Sequence, residues 1–213
     1  MRRLTCIALF LVTAASSAVV LDRIAVIVGK HVVKESDIER DIRLTDFLNN
    51  TPLTITPQAK HDAAERLIDQ ESIRQEIATG DYQRASDTDT STLESQLVKD
   101  RFGGSEARLH AALTRYGLTP EQLHERLLWQ LTVLRFIDQR FRVGVFVSDD
   151  EVRTYYDQHK AEFQRKNPKA TYESLEKGIR DSLEGQRVNE NFEQWLKQAR
   201  NRNRVEYKQE AFQ

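Results

Sequence analysis

The sequence predicts a mainly α protein whose two ends are tied by a small β-sheet. Three observations carry this. Most of the chain is written in helical periods with explicit start and stop signals. Near its beginning it holds a hairpin too small to stand alone in water. Near its end it holds one more short β-branched segment that could complete that hairpin. The chain has 213 residues, 31% charged and 39% hydrophobic, which suits one or two domains with a real core.

The hairpin reads as two extended runs, Ile24–Val28 and His31–Val33, around a Gly29-Lys30 turn. Ser36-Asp37-Ile38-Glu39 follows at once as a capping box, predicting a helix that ends near Asn49-Asn50. Thr56-Pro57 places an N-cap before proline at the first helical position. The helix it opens carries Ala63, Ala64, Leu67, Ile68, Ile73 and Ile77 and stops at Gly80. After the polar stretch DYQRASDTDTST, a helix with Leu93, Leu97 and Val98 ends at Gly103-Gly104. Ser105 caps a short helix with Leu109, Ala112 and Leu113, closed by Gly117. Thr119-Pro120-Glu121-Gln122 opens a longer one reaching Arg142.

VGVFV, residues 143–147, reads as extended, and Ser148-Asp149-Asp150-Glu151 caps a helix running to about Phe163. QRKNPKA is a polar turn. From Thr171 a last long helix carries Leu175, Ile179 and Leu183, then, after a shift in phase, Val188, Phe192, Trp195, Leu196 and Ala199. Val205-Glu206-Tyr207 is the late strand. Pairing it with the hairpin would clasp the two ends together around the helices.

The first residues have a different character. Arg2-Arg3, the apolar run Leu4 to Ala15 and the small residues Ser16-Ser17-Ala18 read as a secretory signal peptide cut after Ala18. The run is too short for a comfortable transmembrane helix. Cleavage removes two arginines and the single cysteine, Cys6, taking the formal net charge from −1 to −3. The remaining chain has no disulfide to form and no integral membrane segment. Its near-neutral charge advertises neither nucleic acid nor an anionic membrane.

Residues for catalysis are hard to find. The five histidines, at 31, 61, 110, 124 and 159, lack metal-site spacing, and His124-Glu125 has no second histidine a helical turn away. Gly29-Lys30 is a turn, not a phosphate loop. No Gly-x-Ser-x-Gly elbow occurs, and no cysteine survives cleavage to serve as nucleophile. Asp149-Asp150 fits the favourable field of a helix N-terminus. The expectation is a protein with no catalytic residues, no cofactor and no metal.

The 119–142 helix is less ordinary. Leu123, Leu127, Leu131, Leu134 and Phe141 form one stripe, while Trp129, Val133 and Phe136 lie on nearly the opposite side. A helix apolar on two sides is either sandwiched in a core or shows one side to a partner.

Segment order and spacing resemble the SurA family of periplasmic chaperones. The family opens with a D-x-[IV]-x-A-x-V strand, a tight turn, V-V-x-x-S-[DE]-[IVL] and a helix. Asp22, Ile24, Val26, Val28, Val32, Val33, Ser36, Asp37 and Ile38 fit, with Ala25 and Val26 offset by one from some members. AAERLIDQESIRQEIATG is similar to the family's second helix, and RYGLTPEQLHERLLWQLTVLRFIDQRFRVGVFVSDDEVRTYYDQH to its third segment. YESLEKGIRDSLEGQRVNENFEQWLKQARNRNRVEY is similar to the helix and strand that follow the isomerase domain in relatives.

The resemblance spans nearly all of 19–208. It implies a SurA N-terminal-like domain over 19–163 and a completing helix and strand over 172–213, forming a helical SurA-like core. In relatives a parvulin isomerase domain occupies the place of the short link 164–171. No R-H-I-L-type strand, Gly-Gly-Asp-Leu-Gly-like loop or histidine pair stands in this chain.

The resemblance therefore implies a periplasmic holdase without catalysis, binding unfolded exported and outer-membrane polypeptides. Trp129, Val133, Phe136, Tyr155, Tyr156 and Phe163 are its candidate client contacts. Prolyl isomerisation and a structural or assembly role, with possible self-association, are the alternatives.

Overall fold

The opening hairpin is completed by the far end of the chain. The computed structural model describes residues 22–213, so the expected signal segment lies outside the described residues. Strands β1 (Ile24–Val28), β2 (His31–Lys34) and β3 (Val205–Tyr207) form one antiparallel sheet in the order β2-β1-β3. Ile27 faces Val32 on one side and Glu206 on the other. Gly29 takes φ +60° at the first turn position, which a side chain would resist. Its N–H also donates to the Arg204 carbonyl (2.9 Å). The sequence-based expectation of a clasp between the ends is met.

Seven helices follow β2 and precede β3: α1 (Glu35–Asn49), α2 (Pro57–Thr79), α3 (Asp87–Phe102), α4 (Glu106–Tyr116), α5 (Pro120–Ile137), α6 (Asp149–Lys166) and α7 (Tyr172–Arg202). The first start signal works differently from expectation. β2 runs into α1 without a loop, so Lys34 takes the cap position. The Asp37 carboxylate reaches back to accept the Lys34 N–H (3.0 Å). Ser36 sits in the first turn, and its hydroxyl donates to Asp22 (2.5 Å). Helix α3 starts inside the polar stretch because Ser86 and Asp89 form a reciprocal capping box. The cap hydroxyls of Thr56, Ser105, Thr119, Ser148 and Thr171 each accept an N–H from the first turn. The 143–147 segment joins no sheet.

A π-helical turn, Asp138–Arg142, follows α5 and corrects the reading of a single stripe on that helix. In a π turn residues i and i+5 come together. Phe141 therefore swings onto Phe136, with ring centroids 5.7 Å apart. It joins the opposite stripe, and Leu134 is left 61% exposed.

Four apolar clusters make the interior. The sheet, α1, the first half of α2 and the tail bury Val26, Val28, Ile38, Ile68 and Phe212. Leu44, Phe47, Leu113 and Leu123 gather α1, α4 and α5. Ile73, Phe136, Phe141, Phe192 and Trp195 gather α2, α5 and α7. Val147, Val152, Tyr156 and Ile179 hold α6 on α7. The tail is fastened further by polar contacts. Lys60 Nζ donates to Glu35 (2.9 Å) and to the Ala211 carbonyl (3.2 Å). His61 stacks on Phe212 at 4.3 Å. Arg200 pairs with Glu65 and with Asp69 (3.4 Å), and the Tyr207 hydroxyl donates to Glu65. Burial and the Glu65 carboxylate push the Tyr207 phenol up to about 12, keeping it a donor. No described helix is long and apolar enough to cross a membrane.

Candidate client-binding groove

Helix α5 crosses α2, and at the crossing Trp129 is only half-buried. The Arg74 guanidinium lies over its ring, 4.6 Å from the centroid. Stacking of this kind favours arginine because its planar cation meets the negative face of the indole. Burial against this surface lowers the Arg74 pKa from its ordinary value.

Two cavities meet at this pair. One, of about 340 Å³, lies between β2, α1, α2 and α5, with Val32, Arg40, Asp41, Arg74, Arg126 and Trp129 among its walls. The other, of about 480 Å³ and mostly apolar, is bounded by Ile77, Ala85, Leu128, Trp129 and Thr132, with Arg84 also in its wall. Arg74 and Glu125 border both. One groove thus joins a charged half to an apolar half across one indole ring.

An ion triad around the buried Asp41 fixes the floor of the charged half. Asp41, 3% exposed, accepts Arg66 Nε (2.8 Å) and Nη2 (2.6 Å) on one oxygen and Arg126 Nη1 (2.6 Å) on the other. The three residues come from α2, α1 and α5, so one carboxylate locks three helices. Asp41 could have been found in sequence. It follows Ile38 by three residues and adjoins Ile42, so it lies on the buried stripe of α1. A carboxylate there requires cationic partners. Arg126, between Leu123 and Leu127 on α5, carries the same signal. Arg74 is invisible to this reasoning, because only the helix crossing brings it to Trp129.

The six residues singled out in sequence divide into two groups. Trp129, Val133 and Phe136 belong to the α2–α5–α7 cluster. Tyr155, Tyr156 and Phe163 belong to the α6–α7 cluster. Trp129 and Val133 are half-buried, as are Tyr155 and Phe163. Phe136 is 0% and Tyr156 6% exposed, so these two act as core and offer no contact surface. Phe136 is closed in by the edges of Tyr82, Phe141 and Trp195. Tyr156 is closed in by Phe163 and Tyr172. On α6, Tyr155 stacks on His159 at 4.1 Å, leaving a smaller aromatic surface apart from the groove.

Among the described residues, no group of three metal-ligating side chains converges. Helix α6 ends at Lys166 and α7 starts at Tyr172, so residues 167–171 are the whole connection between them.

No family model matches the chain. The chain is similar to Chaperone SurA of Pseudomonas aeruginosa strain PAO1, with 28% identity over 145 residues, 67% of this chain. The same alignment covers 34% of that protein, so the chain spans about a third of the length of the curated relative it matches.

Proposed function

We propose that this protein is a periplasmic holdase that binds unfolded exported polypeptides, outer-membrane proteins among them, and performs no catalysis on them. The similarity to Chaperone SurA carries the reading. The groove around Trp129 is consistent with it. An aromatic wall between a charged and an apolar cavity accepts many sequences, and its half-exposure keeps affinity modest, as release of a client requires. Trp129 and Val133 are the central contacts, with Tyr155 and Phe163 a second patch on α6. The leader read at residues 1–18 would deliver the protein to the periplasm. The 167–171 link, where SurA relatives carry an isomerase domain, favours binding without prolyl chemistry.

The deciding experiment is suppression of aggregation of an unfolded β-barrel client by the chain beginning at Val19. Substoichiometric to equimolar protein should keep the client soluble, and aggregation at the uninhibited rate would overturn the proposal. A protease-coupled prolyl assay separates the isomerase alternative. The uncatalysed step takes tens of seconds or more, so even weak catalysis is visible.

A further inference from the structure

The charged half of the groove holds a cation whose donors are hardly used. A guanidinium carries five N–H donors in a fixed plane. Arg74 reaches Gln70 Oε1 only at 3.4 Å, and its nearest carboxylate, Glu71, stands 3.9 Å away. Glu71 is meanwhile engaged by Gln75 (3.0 Å) and faces His31 (3.6 Å). Most of the other charged groups facing the cavity are paired, the exceptions being Glu125 on the rim and the buried Nε of Arg126, which has no partner. Asp37 takes Arg40 and the Lys34 N–H, and Asp41 takes Arg66 and Arg126. Arg74 therefore lies over the Trp129 ring, partly stripped of water, with its side chain 43% exposed and most of its donors unused. The cavity wall also includes Val32 on β2, one of the two outer strands of the sheet. The mostly apolar cavity borders the same indole and the same guanidinium.

We infer that the groove selects an extended client segment in which an acidic side chain adjoins an apolar one: the carboxylate takes the unused donors of Arg74, and the apolar side chain fills the cavity lined by Ile77, Leu128 and Trp129. The inference rests on the client-binding reading above and adds a substrate preference to it. A stacked guanidinium pays little entropy to form paired hydrogen bonds with a carboxylate, and such charge-assisted bonds are stronger than neutral ones. A neutral amide of the same shape offers one acceptor and no charge. Glu125, exposed on the rim of both cavities, opposes an incoming carboxylate and sets an upper limit on this preference.

The test is calorimetric titration of the chain beginning at Val19 with short peptides, acetylated and amidated at their ends, carrying either Glu-Leu or Gln-Leu in the same context. The Glu peptide should bind on the order of tenfold more tightly, the scale of one charged hydrogen bond over a neutral one. Arg74→Gln should abolish the difference while the circular-dichroism melt stays unchanged. Glu125→Gln should tighten the Glu peptide several-fold and leave the Gln peptide alone. Equal binding of both peptides, or discrimination that survives Arg74→Gln, overturns the inference and leaves the holdase reading standing. A Gln peptide that regains affinity when its terminus is a free carboxylate also overturns it, since the site would then read chain ends. If neither peptide binds but client aggregation is still suppressed, the inference alone fails. If suppression is absent too, both fail.

Discussion

Helix α2 has two halves that meet different worlds. Its first half buries Ala63, Ala64 and Ile68 completely, against a sheet of small β-branched residues and the Phe212 ring. Its second half buries Ile73 and Ile77 but carries Arg74 out to Trp129, where ring and cation stay partly in water. The first half is a clasp, filled with side chains that fit one arrangement. The second is a surface, made of a large ring and a long cation that can meet more than one partner. Close packing makes the clasp intolerant of lost volume. Incomplete burial makes the groove tolerant of substitution in folding and, on the proposed function, sensitive to it in binding.

The comparison breaks first at the clasp. Deleting residues 203–213 removes β3, Ala211 and Phe212, and leaves a two-stranded hairpin with only α1 and α2 to pack on. Hydrogen exchange at Ile24–Val33 should lose its protection, while α3 and α4 keep theirs. Unchanged protection would show that packing of Phe192, Trp195 and Leu196 holds the end without the sheet.

Next in size are two substitutions inside the molecule. Phe136→Ala empties the ring of edges around a fully buried phenyl and should cost about 3–5 kcal/mol in denaturant unfolding. Asp41→Ala leaves Arg126 without its carboxylate partner in a site 13% exposed. It should cost about 3–5 kcal/mol, the range for breaking a buried ion pair. A loss below about 1 kcal/mol, as for an ordinary surface pair, would remove the triad from the scaffold and place it with the groove.

Trp129→Ala sharpens the contrast from the other side. It should shift the unfolding midpoint far less than Phe136→Ala yet weaken suppression of client aggregation. The reverse order would mean that Trp129 belongs to the core after all.

The smallest effect concerns His124, which joins α5 to α3 through Glu94 (3.1 Å) and Asp87 (3.4 Å). Burial lowers its pKa, but the two carboxylates outweigh burial and hold it above the ordinary 6.5. A folded pKa above the unfolded one gives stability that is complete below pH 6.5 and lost as pH rises through the folded value. The wild type should therefore lose a little stability from about pH 6.5 upward, and His124→Gln should flatten that slope. An identical slope in the variant would remove the His124 link from α3–α5 docking.

Much of the fold was legible because its signals are local. Thr56-Pro57, Ser105, Thr119-Pro120 and Ser148 fix helix starts through the first few N–H groups. The lone hairpin announced that it needed a third strand. Signals that mislead are those that depend on what comes next. Ser36 has a cap's sequence context, but β2 enters the helix directly and gives the cap to Lys34. Phe141 fits the stripe of Leu134 only if the helix stays α to its end. The π turn moves it to Phe136 and exposes Leu134.

The candidate site was half legible for the same reason. Trp129 and Val133 stood out as an apolar stripe; Asp41 and Arg126 could have been found as charges on apolar faces. The stripe could not tell Phe136, sealed by Tyr82 and Trp195, from Trp129, left half-open. By itself the sequence determined where five of the seven helices start, that the ends must meet and that no catalytic set is spelled out. The tertiary structure decided which aromatic rings are core and which are surface, and it brought Arg74 to Trp129. Periodicity specifies which face of a helix is apolar. How far a neighbouring helix covers that face depends on a crossing that no single helix encodes.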